Sequence, residues 1–302
     1  MKLINSSVIV KEQESGIDGV YKQIEWAGRH CYKSLDKITE NSAKEFVDRM
    51  IKLGHGAMLE HGTIYLKIDK TEDGHLPPAR LYWSDGNHKK YTRVRKHGNS
   101  IYVTTNLRVI VENDRLDDLQ YQVEPTEHHE KRITVKWILD RVTGESFLRH
   151  RVFSFAREST RYCNYSKDKF GNDITYIIPS WLDLPEGKYS NWDNDWCDVS
   201  ELKLLYPEVD NLSDPANCFL QSIKNAEYYY FMLINRGWKP QQARQVLPFA
   251  VCSPLVMTGF ESDWEHFFEL RCSGAAHPDA RKLADELKSL MNVKNIELNS
   301  VK

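Results

Sequence analysis

No stretch of this chain is apolar for long enough to cross a bilayer, and its first residues, MKLINSSVIVKEQES, lack the apolar core of a secretory signal. These absences predict a cytoplasmic protein with no membrane partner. An excess of one charge is missing too: 41 basic residues stand against 43 acidic ones, a formal net charge of -2. That balance speaks against a generic nucleic-acid surface. Cysteine is sparse, with six residues (Cys31, Cys163, Cys197, Cys218, Cys252, Cys272), no Cys-x-x-Cys pair and no histidine at zinc-finger spacing. Neither a disulfide framework nor a metal site is expected. Internal repeats and low-complexity tracts are also wanting. A chain of 302 residues can bury a substantial core, and it reads as a single domain, residues 1–302, with elaborated insertions at about 69–130 and 182–214.

What is present is a local concentration of fixed positive charge. Residues 149–166, RHRVFSFARESTRYCNYS, hold Arg149, Arg151, Arg157, Arg161 and His150 against one acid, Glu158. Arginine offers a planar fork of donors that matches phosphate and stays charged at any working pH. Arg149 and Arg151 stand two apart, so their side chains diverge in a helix or a strand; two anions, or one long dinucleotide, would suit them better than one phosphate. Ser159 and Arg161 form a compact Ser-x-Arg unit able to surround a monophosphate, with Tyr162 and Tyr165 as flat neighbours. A solvated helix end with Arg157 and Arg161 at i,i+4 would be the plainer explanation of such a run. Cys163 lies close by, more readily an ordinary reduced thiol than a nucleophile.

Along the chain, Val8 and Val10 alternate as a strand does, and Val20, Ile24 and Ala27 recur at helical spacing. Ser42 and Glu45 read as a capping box for a helix with Phe46, Val47, Met50 and Ile51 on one face and Gly54 as its stop. Then comes HGAMLEH, from His55 through Glu60 to His61, ahead of the alternating strand 63–68. Its two histidines are too far apart in sequence for a metalloprotease helix. Farther on, IYVTT and LRVIV read as strands, and so does 133–139, after which Asp140 can cap a short helix that delivers Arg149 and His150. Asp214-Pro215 opens the longest helix expected here, running to Gly237. Ser262 and Glu265 predict a second capping box, for a helix that places Arg271 one turn beyond Phe267 on the side facing protein. A cation there needs a partner. Pro278 starts a last amphipathic helix with Leu283, Leu287 and Met291.

Arg-His-Arg, seven residues, Ser and then Arg-Tyr two positions on resembles the signature of the flavin-dependent thymidylate synthases. The spacing match is strong, and four landmarks occur in family order: 55–61, 149–162, Ala243-Arg244 with Leu247-Pro248, and Leu270-Arg271 followed by Ala276-His277. The resemblance covers most of the chain outside the two insertions. It implies an α+β fold with a mixed or antiparallel sheet flanked by helices, and a homotetramer whose active sites lie between subunits.

The resemblance further implies reductive methylation of dUMP to dTMP, with FAD as cofactor, NADPH and 5,10-methylenetetrahydrofolate as co-substrates, and no cysteine nucleophile. Residue by residue, it implies Cys31, His55, Ala57, Glu60, Arg149, His150, Arg151, Val152, Phe260 and His266 at the FAD site. For dUMP it implies Ser146, Arg149, Glu158, Ser159, Arg161, Arg244 and Arg271. Of these, Arg271 and Ser159 would stand at the chemistry, Arg271 reaching the pyrimidine and Ser159 orienting the nucleotide. Several positions depart from the common pattern: Ser146 stands where Gln is usual, Arg157 where Glu is, Cys31 where Ser is, Ala57 where Thr is, Phe260 and His266 where Asn is, and Ala275 where some members have His. A non-catalytic binder of nucleotides or nucleic acid would use the same arginines and tyrosines; the balanced charge and Arg271 among distant aromatics argue against it.

Overall fold

The computed structural model describes residues 1–85, 91–167, 171–189 and 215–300. It opens with strands β1 (Lys2–Ile4) and β2 (Ser7–Lys11), followed by helix α1 (Gly16–Cys31), in which Val20, Ile24 and Ala27 are fully buried as their spacing demands. Helix α2 (Ser42–Lys52) buries Ala43, Phe46, Val47 and Met50, while Ile51 is left at the surface. Ser42 does not cap it: it is the first helical residue, and its hydroxyl donates to Glu25 at 2.8 Å. The expected stop is there. Gly54 adopts φ +68°, its N–H donates to the Ile51 carbonyl, and the His55 N–H donates to that of Met50. This pair of reversed bonds satisfies carbonyls that the helix end would otherwise leave open.

Next come α3 (Gly56–Leu59), β3 (Thr63–Asp69), α4 (Pro78–Ser84), β4 (Arg93–His97) and β5 (Ser100–Asn106). Residues LRVIV, expected as a strand, instead begin α5 (Leu107–Glu112). The Asn106 side chain accepts from the Val109 N–H at 3.2 Å, and Leu107 and Ile110, one turn apart, are both buried. A cap and a buried face outweigh the weak strand preference of β-branched residues. After β6 (Arg132–Ile138), Asp140 caps α6 (Arg141–Phe147) as expected, its carboxylate accepting from the N–H and hydroxyl of Thr143, both at 2.7 Å. Strands β7 (Ser154–Arg157), β8 (Thr175–Ile177) and β9 (Gly187–Lys188) follow.

The last third holds α7 (Pro215–Asn235), the short α8 (Pro240–Ala243) with a 3-10 turn at Arg244–Val246, β10 (Leu255–Phe260), α9 (Glu261–Arg271) and α10 (Pro278–Ser300). At 23 residues α10, not α7 with 21, is the longest helix described. Asp214, read as the α7 cap, and most of the second insertion lie outside the described residues. Helix α9 starts one residue before Ser262, and the acid that closes its first turn is Asp263, accepting from the Phe260 N–H at 3.3 Å, rather than Glu265.

The fold is α+β, with its strands shared among three sheets. Two compact units form. The first unites Met1–Ser7, Ile138–Gly144 and Ser159–Ser253. Its sheet has the order β8-β1-β9, parallel between β1 and β8 and antiparallel between β1 and β9, over a core with Leu3, Cys163, Tyr176 and Tyr230. The second unites Val8–Trp137, Glu145–Glu158 and Pro254–Lys302. It contains the antiparallel sheet β3-β5-β4 and the sheet β2-β6-β10-β7, in which β10 runs antiparallel to both β6 and β7. Segment 69–130 contributes Trp83, Ile101, Val103 and Ile110 to the core shared by α1, α2 and β3. A separate aromatic cluster of Trp137, Phe147, Phe153, Trp264 and Phe267 keeps ring centroids 4.5 to 6.4 Å apart.

Candidate active site

In the second unit, the Arg-His-Arg run emerges from the end of α6 onto this aromatic cluster. His150 is buried with its ring 5.0 Å from that of Phe267, whereas Arg149, Arg151 and Val152 on either side of it are exposed. Arg271, at the end of α9, finds the partners that its position demanded. Its Nε–H donates to His150 Nε2 at 2.9 Å, and a terminal nitrogen donates to the Ser146 carbonyl at 2.5 Å. His150 Nε2 is therefore an acceptor, and the neutral ring carries its proton on Nδ1. Burial, with the nearby charges of Arg271 and His266, holds the His150 pKa down to about 4. Burial and then the like charge of Arg149 lower that of Arg271. Two neutral acceptors thus aim a half-buried guanidinium without neutralising it.

Other residues expected at the flavin site fall elsewhere on this unit. His55 and Ala57 are exposed at the start of α3, and Glu60 ends it. The Glu60 carboxylate meets Arg108 of α5 at 2.6 Å, and its carbonyl accepts from Arg132 at 2.9 Å. Arg132 also reaches the Ser154 hydroxyl on β7 at 3.3 Å. Neither arginine is evident from sequence: Arg108 lies in a segment that reads as a strand, and Arg132 carries no motif. Phe260 is only 3% exposed and lies under the guanidinium groups of Arg93 and Arg132, at 4.2 and 5.5 Å. His266 is exposed and paired to Glu269, with its ring 6.4 Å from His150. Cys31 is buried beside Ala27, Ala156 and Val256, and burial pushes its thiol up to about 12, which suits packing and not nucleophilic attack. Arg157, standing where an acid is usual, pairs with Glu145 at 2.7 Å; the adjacent Glu158 is buried, and its N–H donates to the Pro254 carbonyl.

In the first unit, Ser159, Arg161 and Arg244 come together. The Ser159 hydroxyl accepts from the Arg161 N–H at 3.3 Å, while its carbonyl accepts from the N–H groups of Tyr162 and Cys163. Arg161 Nε donates to the Gln241 side chain of α8 at 3.1 Å, and Arg244 donates to the Thr160 hydroxyl at 3.2 Å. Thr160 and Gln241 thereby tie two exposed arginines into one patch. Tyr162, 59% exposed, has the Arg161 guanidinium 5.3 Å from its ring centre. A serine hydroxyl with two oriented guanidinium groups is a donor set for a phosphate.

Residues 116–294 match the family described as "Thymidylate synthase complementing protein". Among curated proteins, the chain is 23% identical over 281 residues to a flavin-dependent thymidylate synthase of Mycobacterium avium, covering 91% of this chain and 77% of that one. It is 26% identical over 144 residues to a protein of the same name from Pyrococcus furiosus, covering 48% and 47%. Among solved structures it is similar to a UMP/dUMP methylase PolB from Streptomyces cacaoi bound with 5-Br dUMP, with 14% identity, 96% and 92% coverage and a TM-score of 0.42. The family match spans more than half of the chain and takes in Arg149, His150, Ser159, Arg161, Arg244 and Arg271, and this chain belongs to the thymidylate synthase complementing protein family.

Proposed function

We propose that this protein is a flavin-dependent thymidylate synthase, a methyltransferase that converts dUMP to dTMP with 5,10-methylenetetrahydrofolate as carbon donor and NADPH as reductant of its FAD. The observation that carries this reading is the family match over the segment that holds the whole arginine set. In the first unit, Ser159, Arg161 and Arg244 would bind the nucleotide phosphate, since their donors are already oriented by Thr160 and Gln241. In the second, Arg271 would act on the pyrimidine. A partly desolvated guanidinium aimed by neutral acceptors favours negative charge on the ring as the C5 carbon turns nucleophilic.

The residues present fit a flavin dinucleotide. Arg149 and Arg151 are exposed cations with no carboxylate within ion-pair distance among the described residues, as a diphosphate requires, and Glu60 and His55 add polar groups on α3. A bound, reduced flavin would supply the hydride that completes the methyl group. His150 stays uncharged and holds Arg271 in place, and the buried Cys31 and Cys163 take no covalent part. A homotetramer with sites completed by neighbouring subunits is part of the same proposal.

The test is NADPH oxidation by purified protein with added FAD, with and without dUMP and methylenetetrahydrofolate, followed by chromatography for dTMP. Product that depends on flavin and on every substrate is the expected result. Flavin reduction without dTMP would point to altered chemistry at Ser146, Arg157 or Ala275, and absence of flavin binding would refute the assignment.

A further inference from the structure

We infer that Arg132 is a positioning residue of the proposed flavin site, one that holds Glu60 and the α3 turn against the sheet, a role that rests on the flavin reading above. Helix α3 is a single turn of four residues, too short to hold itself. Its end is fixed from outside. Arg132, the first residue of β6, donates from Nη1 to the Glu60 carbonyl at 2.9 Å and to the Thr63 hydroxyl, where β3 begins, at 3.4 Å. Arg108 of α5 takes the Glu60 carboxylate at 2.6 Å, and His61 Nδ1 meets the Thr258 hydroxyl on β10 at 2.8 Å. The other terminal nitrogen of Arg132 donates to the hydroxyl of Ser154, the first residue of β7, at 3.3 Å. One guanidinium thereby joins the α3–β3 turn to the strand into which the Arg149–Val152 run leads.

Stability alone does not account for this arrangement. The Arg132 Nε is buried with no acceptor, no carboxylate lies within ion-pair distance of the guanidinium among the described residues, and desolvation brings its pKa down to about 10. A buried cation without a counter-charge opposes folding, and an apolar side chain of similar volume is often as stable or more so. Being enclosed, Arg132 does not itself reach a ligand; it acts through Glu60. Phe260, its register partner across β6 and β10, covers it with a ring centre 5.5 Å away. Only the planar fork of arginine serves two elements at once, since the ammonium of lysine is a single point charge.

The experiment compares wild type, Arg132→Lys and Arg132→Met in three readouts: FAD affinity by titration of the flavin-free protein, its Tm, and hydrogen exchange of amides 56–62 without flavin. Arg132→Met is expected to weaken FAD binding at least about tenfold and to speed exchange at 56–62, while its Tm stays within about 4 °C of wild type. Arg132→Lys, which keeps the charge but not the fork, should fall between the two. If Arg132→Met does not fold, Arg132→Lys decides alone, weaker FAD binding at unchanged Tm being the supporting result. Equal FAD affinity in wild type and the variants would overturn the positioning role and leave the flavin reading standing. Weaker binding accompanied by a lower Tm and faster exchange throughout the unit would also overturn it, by showing a general structural role. Wild-type protein that binds no FAD would instead refute the flavin reading, and this role with it.

Discussion

At the scale of the residue, Arg271 is the most informative position. Helical spacing put a cation on a face turned toward protein, and a cation there requires acceptors; the fold supplies His150 and the Ser146 carbonyl. Under the proposed function, Arg271→Ala is expected to lower dTMP formation at least about 100-fold, the usual cost of removing one donor to a developing anion, while flavin stays bound. Product chromatography beside the flavin spectrum of the purified variant checks both halves; a variant that loses its flavin would mean that the residue serves the cofactor. Arg149→Ala, by contrast, is expected to weaken flavin retention first, as measured by the flavin remaining after gel filtration. What the sequence could not supply at this scale was the set of holders. Gln241, Thr160 and Arg108 meet Arg161, Arg244 and Glu60 across 80, 84 and 48 residues, and no local pattern records such pairings.

Among the elements, boundaries set by backbone chemistry were legible. Gly54 and Asp140 act where their types say they should. Misreadings fall where two local signals compete. LRVIV has strand propensity, but Asn106 before it is a helix cap, and the spacing of Leu107 and Ile110 buries one helical face. Asn106→Ala should therefore destabilise the protein by about 1–2 kcal/mol in denaturant melts. Because α5 carries Arg108, it should also loosen the grip on Glu60. Close packing makes a second demand. Gly28 of α1 lies so near α2 that a Cβ would stand 2.5 Å from the Phe46 ring, so Gly28→Ala is expected to cost about 1–3 kcal/mol by the same melts. A neutral effect would mean that α2 can shift to make room.

For the molecule as a whole, pH is the most direct probe of burial. His30 and His61 are held down to about 3 and His150 to about 4, in each case first by burial. All three are neutral when folded and would protonate near 6.5 once unfolded, so the unfolded chain binds more protons between about pH 6.5 and pH 4. Their stabilising contribution is complete above that window and is lost as pH falls through it. The carboxyls of buried Glu227 and half-buried Asp263, whose pKa values desolvation raises, oppose the trend. A net uptake of protons on unfolding at pH 5 is expected, seen as a fall in Tm from pH 7 to pH 5. A flat profile would show that these histidines are not shielded in solution. The proposed tetramer belongs to this scale too, and light scattering of the purified protein should return four times the chain mass.

Sequence alone determined the absence of a long apolar span, helix boundaries such as Gly54, Asp140, Pro215 and Pro278, the buried faces of α1, α2 and α10, and the concentration of arginine at 149–161, while the α+β class followed from the family resemblance. These depend on residue type and on neighbours a few positions away, and periodicity records such neighbours directly. Tertiary structure alone decided that α5 is a helix, that His150 receives Arg271, and that Phe260 lies under two arginines. Each of these depends on which distant segments meet. That choice is made by the burial of apolar surface over the whole chain, and only its outcome settles which polar groups find partners.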